Sequence, residues 1–264
     1  HLVDTCGTGG SGIGIFNVST ASAFVASQCG AKVAKHGNRS ATRSSGSADL
    51  LEQAGVPLTL KPTEVADCIK NIGLGFMFAP AHHSAMKHVV GPRKEIAQKS
   101  IFNVLGPLTN PASAKRQVMG VYDKKWMRPI TNVLKELGSE HTMIIHSEDG
   151  LDEISIASPT FVIEMKDGDI SEYTISPEDF NFKTSTLNGL RVNSPEESLN
   201  LVKLALVDKH QEASSMISMA AGAALYVSEV SSSLEAGILL ANECVKDGGG
   251  IEKLNQLVEY TSKF

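Results

Sequence analysis

Glycines and small hydroxyl side chains are concentrated near the start of the chain. Residues 7–14 read GTGGSGIG, and Asn17, Ser19 and Thr20 follow where a helix is predicted to begin. Glycine lets backbone amides approach an anion closely, and the first turn of a helix adds unpaired N–H groups and a favourable dipole. The hydroxyls can add phosphate bonds or a magnesium ligand. The segment predicts a phosphate-binding loop, with an ordinary tight turn as the alternative.

A second loop combines cations, an amide and a glycine. Residues 35–39 read KHGNR, and residues 40–47 add further hydroxyls and Arg43. Such a density of donors after a predicted strand suits a second group of phosphate oxygens, and the alternative is a solvated basic loop. Two anion sites separated by one helix favour a substrate that carries phosphate at both ends.

Adjacent carboxylates, Asp152 and Glu153, stand in a predicted turn and follow the acidic pair Glu148 and Asp149. Mg²⁺ prefers carboxylate oxygens and keeps several waters while it bridges to substrate phosphates. A single Asp-Glu pair often does no more than solvate a surface turn. Because two candidate phosphate loops lie in the same chain, magnesium binding is the better interpretation.

These motifs fall in loops between alternating strands and helices. Strands are predicted at residues 1–6, 32–35, 75–78, 118–122, 142–146, 154–155 and 160–165, and helices at 19–29, from about 47, at 62–72, 83–97 and 126–137, and from Pro195 onward. We interpret residues 167–191, which are rich in turn formers, as an excursion at the sheet edge. The alternation predicts an α/β fold with a largely parallel sheet flanked by helices, and ligands at the carboxyl ends of its strands.

The composition indicates a globular protein. The 264 residues are 42% hydrophobic, and 24 basic and 29 acidic side chains are well mixed, so we expect no nucleic-acid partner. No apolar run reaches the roughly 18 residues of a membrane helix, and no signal peptide is recognisable, so we expect no membrane partner. The four cysteines lack the spacing of a disulfide framework or a zinc site, which favours the reducing cytoplasm.

Together the motifs resemble those of the anthranilate phosphoribosyltransferases in order and spacing. The matching segments are NVST at 17–20 after the glycine loop, KHGNR at 35–39, GSAD at 46–49, FAPAHH at 78–83, FNVLGPLTNP at 102–111, GVY at 120–122 and LDE at 151–153. The resemblance covers essentially the whole chain.

The resemblance implies an α/β domain similar in fold to the pyrimidine nucleoside phosphorylases, joined to a small helical domain built largely from N-terminal residues. In the family those residues precede the glycine loop, which in this chain begins at residue 7, so we expect most of the small domain to be missing. One α/β phosphoribosyltransferase domain would span residues 1–264, with remnants of the small domain at roughly 80–120. Family members are usually homodimers, and we expect the same of the full-length protein.

The implied reaction is a pentosyl transfer in tryptophan biosynthesis: the phosphoribosyl group of phosphoribosyl pyrophosphate passes to the amine of anthranilate, and pyrophosphate is released. The resemblance assigns phosphoribosyl pyrophosphate to Gly7, Gly10, Ser11, Ile15, Asn17, Val18, Ser19, Thr20, Lys35, His36, Gly37, Asn38, Arg39, Ser40, Ala41, Thr42, Arg43 and Ser47. It assigns anthranilate to Gly7, Asn38, His83 and Lys99, and Mg²⁺ to Ser19, Asp152 and Glu153. No acid–base residue is expected, because a neutral aromatic amine needs positioning more than deprotonation.

Three positions depart from the family pattern. Ser11 stands where the family has an aspartate, Lys99 where many members have the arginine that contacts the anthranilate carboxylate, and Ala220 where an asparagine is expected. Lysine keeps the charge but loses the planar two-point contact of arginine. Two alternatives therefore stay open: a phosphoribosyltransferase for another aromatic amine, and a catalytically impaired relative that binds ligands.

Overall fold

A single mixed sheet forms the centre of the protein. The computed structural model describes residues 1–9, 11–40, 44–82 and 104–264. The strands are β1 Leu2–Gly7, β2 Lys32–Gly37, β3 Leu74–Phe78, β4 Arg116–Gly120, β5 His141–Ser147, β6 Thr160–Lys166 and β7 Asp169–Ile175. Their order across the sheet is β3-β2-β1-β4-β5-β6-β7. The first five strands run parallel, and β6 and β7 pair antiparallel at one edge. The predicted α/β fold with a largely parallel sheet is confirmed.

The helices flank this sheet and fill the C-terminal third of the chain. They are α1 Val18–Gln28, α2 Ser47–Gln53, α3 Pro62–Ile72, α4 Ala79–His82, α5 Met127–Glu136, α6 Pro195–Ala205, α7 Gln211–Val227, α8 Leu234–Lys246 and α9 Gly249–Thr261. Among the residues that the structure describes, no helix is both long and apolar enough to cross a membrane.

Helix α1 is buried on nearly all sides, because its sequence VSTASAFVASQ is made mainly of small residues. A helix that is covered all round belongs to a core, and small side chains let neighbouring helices approach it closely. It packs against α7 and α9. Helices α7 and α8 also pack closely against each other, since a Cβ on Gly222 would lie 2.4 Å from Ile238 Cα. These contacts place the N-terminus of α1 beyond the carboxyl end of the interior strand β1.

One predicted strand was wrong. Residues 154–155 are not a strand but part of a loop between β5 and β6. Backbone N–H groups of this loop donate to side-chain hydroxyls instead of to a neighbouring strand. Ser155 N donates to Thr160 Oγ1 at 3.2 Å, and Ala157 N donates to Ser155 Oγ at 2.9 Å. Region 167–191, interpreted as an excursion at the sheet edge, contains the edge strand β7, in agreement with that interpretation. The helix predicted at 83–97 lies outside the described residues, and the small-domain remnant at roughly 80–120 stays a prediction.

Candidate active site

The first glycine loop leaves β1 at the carboxyl edge of the sheet. Thr8 N donates to Gly120 O at 2.9 Å, and Thr8 Oγ1 accepts from Tyr122 N at 3.1 Å, which ties the loop to the end of β4. Gly9 and Gly12 have φ values of +64° and +76°, a conformation that strongly favours glycine. The sequence GTGGSGIG is therefore needed for the path of this loop. Gly10 lies outside the described residues.

Two glycines make room for Asp152 beside this loop. A Cβ on Gly120 would lie 1.8 Å from Asp152 O, and a Cβ on Gly7 would lie 3.2 Å from Asp152 Oδ2. Such contacts exclude any side chain at Gly120. Asp152 is 3% exposed and lies at the mouth of the glycine loop. This neighbourhood joins two motifs that are far apart in sequence.

The acidic residues around Asp152 have different surroundings. Asp149 accepts from Leu151 N at 3.1 Å and from Ser155 Oγ at 2.6 Å, so its carboxylate organises the turn. Glu153 is partly exposed, and its charge acts on the ammonium of Lys35. Both residues offer carboxylate oxygens that suit Mg²⁺, and Glu153 is the more exposed of the two.

Asn17 connects three parts of the chain at the start of α1. Its Oδ1 accepts from Ser45 Oγ and from Ser198 Oγ, both at 2.7 Å, and its Nδ2 donates to Ser45 O at 3.2 Å. The backbone N–H of Asn17 donates to Ser198 Oγ at 3.1 Å. The side chain predicted to bind phosphoribosyl pyrophosphate therefore also fastens both loops to α6. Sequence reasoning missed Ser198, because nothing in its local pattern separates it from an ordinary helical serine.

The hydroxyls that follow differ in exposure. Thr20 Oγ1 is buried and has no hydrogen-bond partner among the described residues. Ser19 is half-buried, and its carbonyl accepts from Thr5 Oγ1 at 2.9 Å. The side chains of Ile15 and Val18 are packed in the core, so these two positions can offer only backbone groups to a ligand. Of the two hydroxyls, Ser19 is the better placed to reach a ligand. Ser11 Oγ accepts a long bond of 3.4 Å from Ile13 N within the loop.

Lys35 lies under the end of β1 rather than in solvent. It is 3% exposed, and its Nζ donates to Thr5 O and, at 3.5 Å, to Thr5 Oγ1. Burial lowers the pKa of Lys35, while the charges of Asp4, Cys6 and Glu153 oppose that shift. The ammonium is thus a buried positive charge close to both loops.

His36 is tied to a buried carboxylate. Its Nδ1 lies 2.7 Å from Asp4 Oδ2, which also accepts from Asn110 Nδ2 at 2.8 Å. Burial alone would raise the pKa of Asp4, but His36, Lys35 and Asn110 together lower it. Asp4, Cys6 and His36 could in principle hold a metal ion, since their ligand atoms lie within 4.8 Å of one another. We interpret them instead as a hydrogen-bonded network, because amide donors and the imidazole already satisfy the carboxylate.

The second loop begins at the end of β2 and contacts α2. A Cβ on Gly37 would lie 2.0 Å from Ser47 Oγ, and that hydroxyl donates to Asn38 O at 3.3 Å. Arg39 turns towards α2, where Nη1 lies 3.0 Å from Asp49 Oδ1 and 2.6 Å from Glu52 Oε2. Ser47 and Asn38 are thus together, whereas the guanidinium of Arg39 is paired with carboxylates.

Several predicted site residues fall outside the described part of the chain: Ala41, Thr42, Arg43, His83 and Lys99, in addition to Gly10. The acceptor side therefore stays a prediction. Of the departures from the family pattern, Ala220 is 5% exposed and lies in the core within α7.

Fold and loops together define a class of transferase. The family model described as "Glycosyl transferase family, a/b domain" matches residues 1–251. Among curated relatives, the anthranilate phosphoribosyltransferase of Ectopseudomonas mendocina is 55% identical over 268 residues, which cover 100% of this chain and 77% of the relative. That of Marinomonas sp. is 56% identical over 266 residues, with the same coverage of 100% and 77%.

Solved structures agree with this class. The anthranilate phosphoribosyltransferase of Thermus thermophilus matches with a TM-score of 0.92 and 38% identity, covering 99% of this chain and 78% of that chain. The Saccharomyces cerevisiae enzyme in complex with PRPP and Mg matches with a TM-score of 0.89 and 28% identity, covering 100% and 74%. This chain belongs to the anthranilate phosphoribosyltransferase family.

Proposed function

We propose that the protein transfers the phosphoribosyl group of phosphoribosyl pyrophosphate to the amine of anthranilate and releases pyrophosphate, as a step of tryptophan biosynthesis. The observation that carries this proposal is the meeting of two glycine-containing loops, joined through Asn17, beside the carboxylate of Asp152. Yeast relatives of known structure are in complex with PRPP and Mg and with 4-fluoroanthranilate, which supports both substrates.

Phosphoribosyl pyrophosphate would lie across the two loops. The glycine loop and the first turn of α1 offer backbone N–H groups, and the buried Thr20 hydroxyl, which lacks a partner among the described residues, lies in that turn. Asn38 and Ser47 stand together at the second loop, and the ammonium of Lys35 lies beneath both loops. Anthranilate would bind at Gly7, Asn38, His83 and Lys99.

Mg²⁺ would be held by Asp152, Glu153 and Ser19. The donors fit this ion, because carboxylate and hydroxyl oxygens are its usual protein ligands. Within residues 1–9, 11–40, 44–82 and 104–264, the one group of three or more acidic, histidine or cysteine ligands is the buried Asp4 network. Asp152 and Glu153 do not belong to such a group. Two carboxylates suit Mg²⁺, which takes few ligands from protein and the rest from water and phosphate oxygens.

In the reaction, the bond between the ribose anomeric carbon and a pyrophosphate oxygen breaks while a carbon–nitrogen bond forms. Negative charge grows on the leaving pyrophosphate and positive charge on the ribose, so preorganised donors around the pyrophosphate supply the main stabilisation. Bound Mg²⁺ supplies further charge neutralisation. The loop amides and Lys35 orient the pyrophosphate, and the acceptor residues hold the neutral amine for attack. The attacking nitrogen becomes positively charged, and the product becomes neutral when that nitrogen releases one proton to solvent.

The assay for this proposal follows the fluorescence of anthranilate with phosphoribosyl pyrophosphate and Mg²⁺ present. We expect fluorescence to fall only when all components are included. Binding of phosphoribosyl pyrophosphate without consumption of anthranilate would favour a catalytically impaired relative. Faster consumption of another aromatic amine would favour a different acceptor. We further propose that the full-length protein is a cytoplasmic homodimer, as the family resemblance suggests.

A further inference from the structure

The second loop is closed at its base by one carboxylate. Asp49 Oδ2 accepts from Ser40 N at 3.0 Å and from Gly46 N at 2.9 Å. We call Ser40 and Gly46 the neck of the loop, because the chain leaves at the first and returns at the second. Hydrogen bonds to a charged acceptor are shorter and stronger than those between neutral groups. The Asp49 carboxylate therefore fixes the distance between the backbones of Ser40 and Gly46.

The close packing around Gly46 also requires the neck to be closed. A Cβ on Gly46 would lie 2.4 Å from Ser40 N and 2.7 Å from Asn38 O, both of which are backbone atoms. No side chain can be accommodated there unless the neck opens. Gly46 and Asp49 thus hold the same two backbone segments together. Gly46 does so by allowing close approach, and Asp49 does so by hydrogen bonding.

The other oxygen of Asp49 acts on Arg39. Arg39 Nη1 donates to Asp49 Oδ1 at 3.0 Å, while the guanidinium also donates to both carboxylate oxygens of Glu52, at 2.6 and 2.8 Å. The guanidinium lies 5.8 Å from the centre of the Phe78 ring. Two carboxylates already balance this cation, so it is poorly placed to serve as a phosphate ligand.

We propose that Asp49 is a positioning residue for phosphoribosyl pyrophosphate, which closes the neck of the second loop and, together with Glu52, holds Arg39 against α2 and away from the phosphates. This inference rests on the proposed function, in which residues around the neck bind that substrate. With the neck closed, the proposed ligands Asn38 and Ser47 beside it lose less freedom on binding, so Asp49 should raise affinity without any contact to the substrate.

Four substitutions separate the contributions. Asp49→Ala removes both neck bonds, whereas Asp49→Asn can keep them through one amide oxygen and loses the charge that faces Arg39. Gly46→Ala opens the neck sterically and leaves the carboxylate intact, so it tests closure even if Asp49→Ala fails to fold. Glu52→Gln weakens only the hold on Arg39. Glu243→Ala, on the exposed side of α8, is the matched control.

The measurements are calorimetric binding of phosphoribosyl pyrophosphate with Mg²⁺ and the two KM values. We expect Asp49→Ala and Gly46→Ala to weaken binding of this substrate about tenfold to a hundredfold, with the KM for anthranilate within about twofold of the parent value. Asp49→Asn should recover most of the loss, Glu52→Gln should cost about threefold or less, and the control should match the parent.

Two outcomes would overturn the inference. One is unchanged binding in both Asp49→Ala and Gly46→Ala. The other is an equal loss for both substrates together with a lower Tm, which would mean that Asp49 only stabilises the fold. If the parent binds phosphoribosyl pyrophosphate but consumes no anthranilate, the proposed function fails while the calorimetric comparison still decides the role of Asp49. A parent that binds no phosphoribosyl pyrophosphate would overturn both.

Discussion

The two candidate phosphate loops are held in place by different forces. The first loop, between β1 and α1, depends on glycines. Gly7 and Gly120 leave room for Asp152, and Gly9 and Gly12 have a left-handed backbone conformation. The hydrogen bonds that tie this loop to the end of β4 join neutral groups.

The second loop, between β2 and α2, combines close glycine contacts with bonds to carboxylates. His36 is held by the buried Asp4, and Arg39 is held by Asp49 and Glu52. Glycine fixes shape at all pH values and salt concentrations, whereas ion pairs respond to both. Steric substitutions should therefore damage both loops, whereas changes of pH should alter the stability of the second loop more than that of the first.

The largest expected effect is steric. Gly120→Ala would place a Cβ 1.8 Å from Asp152 O, which is backbone and cannot rotate away. We expect a loss of stability of about 3 kcal/mol or more, measured by urea unfolding, together with loss of turnover. Gly106→Ala is the control, since a Cβ there meets no atom of the described residues within 4 Å. Equal stability of the two variants would contradict the close approach of Asp152.

The second prediction concerns charge at the first loop. Replacing Asp152 by Asn and Glu153 by Gln keeps shape but removes the proposed magnesium ligands. We expect turnover to fall by about a hundredfold or more, and the Mg²⁺ concentration needed for half-maximal rate to rise. Asp149→Asn should instead mainly lower stability, because Asp149 organises the turn. An unchanged magnesium titration in the double variant would exclude this metal site.

The third prediction tests the charge dependence of the second loop. In the folded protein the pKa of Asp4 is lowered, so its stabilising contribution is present above the unfolded-state value of about 4 and is lost as the pH falls through the folded-state pKa. Asp4→Asn should destabilise the protein by about 1–3 kcal/mol at pH 7. The difference in stability between the variant and the parent should begin to narrow as the pH falls below about 4.

Urea unfolding of both proteins between pH 3 and about pH 8 measures this gap. Glu243→Gln removes an exposed charge from α8 and serves as the control. A gap that stays constant over the whole pH range would show that Asp4 acts through shape rather than charge.

The smallest expected effect lies where the two regions are joined. Ser198→Ala removes the hydroxyl that binds both Oδ1 and the backbone N–H of Asn17. We expect about 1 kcal/mol of lost stability and a KM for phosphoribosyl pyrophosphate raised about threefold to tenfold. Ser218→Ala, at a buried serine that donates to Ser214 O in its own helix, should leave that KM unchanged. Identical KM values in the two variants would mean that Asn17 does not need α6.

Much of the frame could be predicted from the sequence alone. Alternating apolar strands and helices are encoded locally, and α3 spans the predicted residues 62–72. The motifs also predicted two loops after strands, and the structure places loops at the ends of β1 and β2, because glycine and hydroxyl patterns act within a few residues. The strand predicted at 154–155 was wrong because Ile154 is buried within a loop, where Ser155 N donates to Thr160 Oγ1 instead of to a neighbouring strand.

The sequence by itself determined the fold class, the two loops and the family, because these follow from local periodicity and from motifs with fixed spacing. Only the tertiary structure decided which partner each polar group takes. It placed Asp152 against Gly7, Ser198 against Asn17 and Arg39 against α2 rather than among free cations. These contacts join residues distant along the chain, and their geometry depends on how the sheet and helices pack, which no local pattern contains.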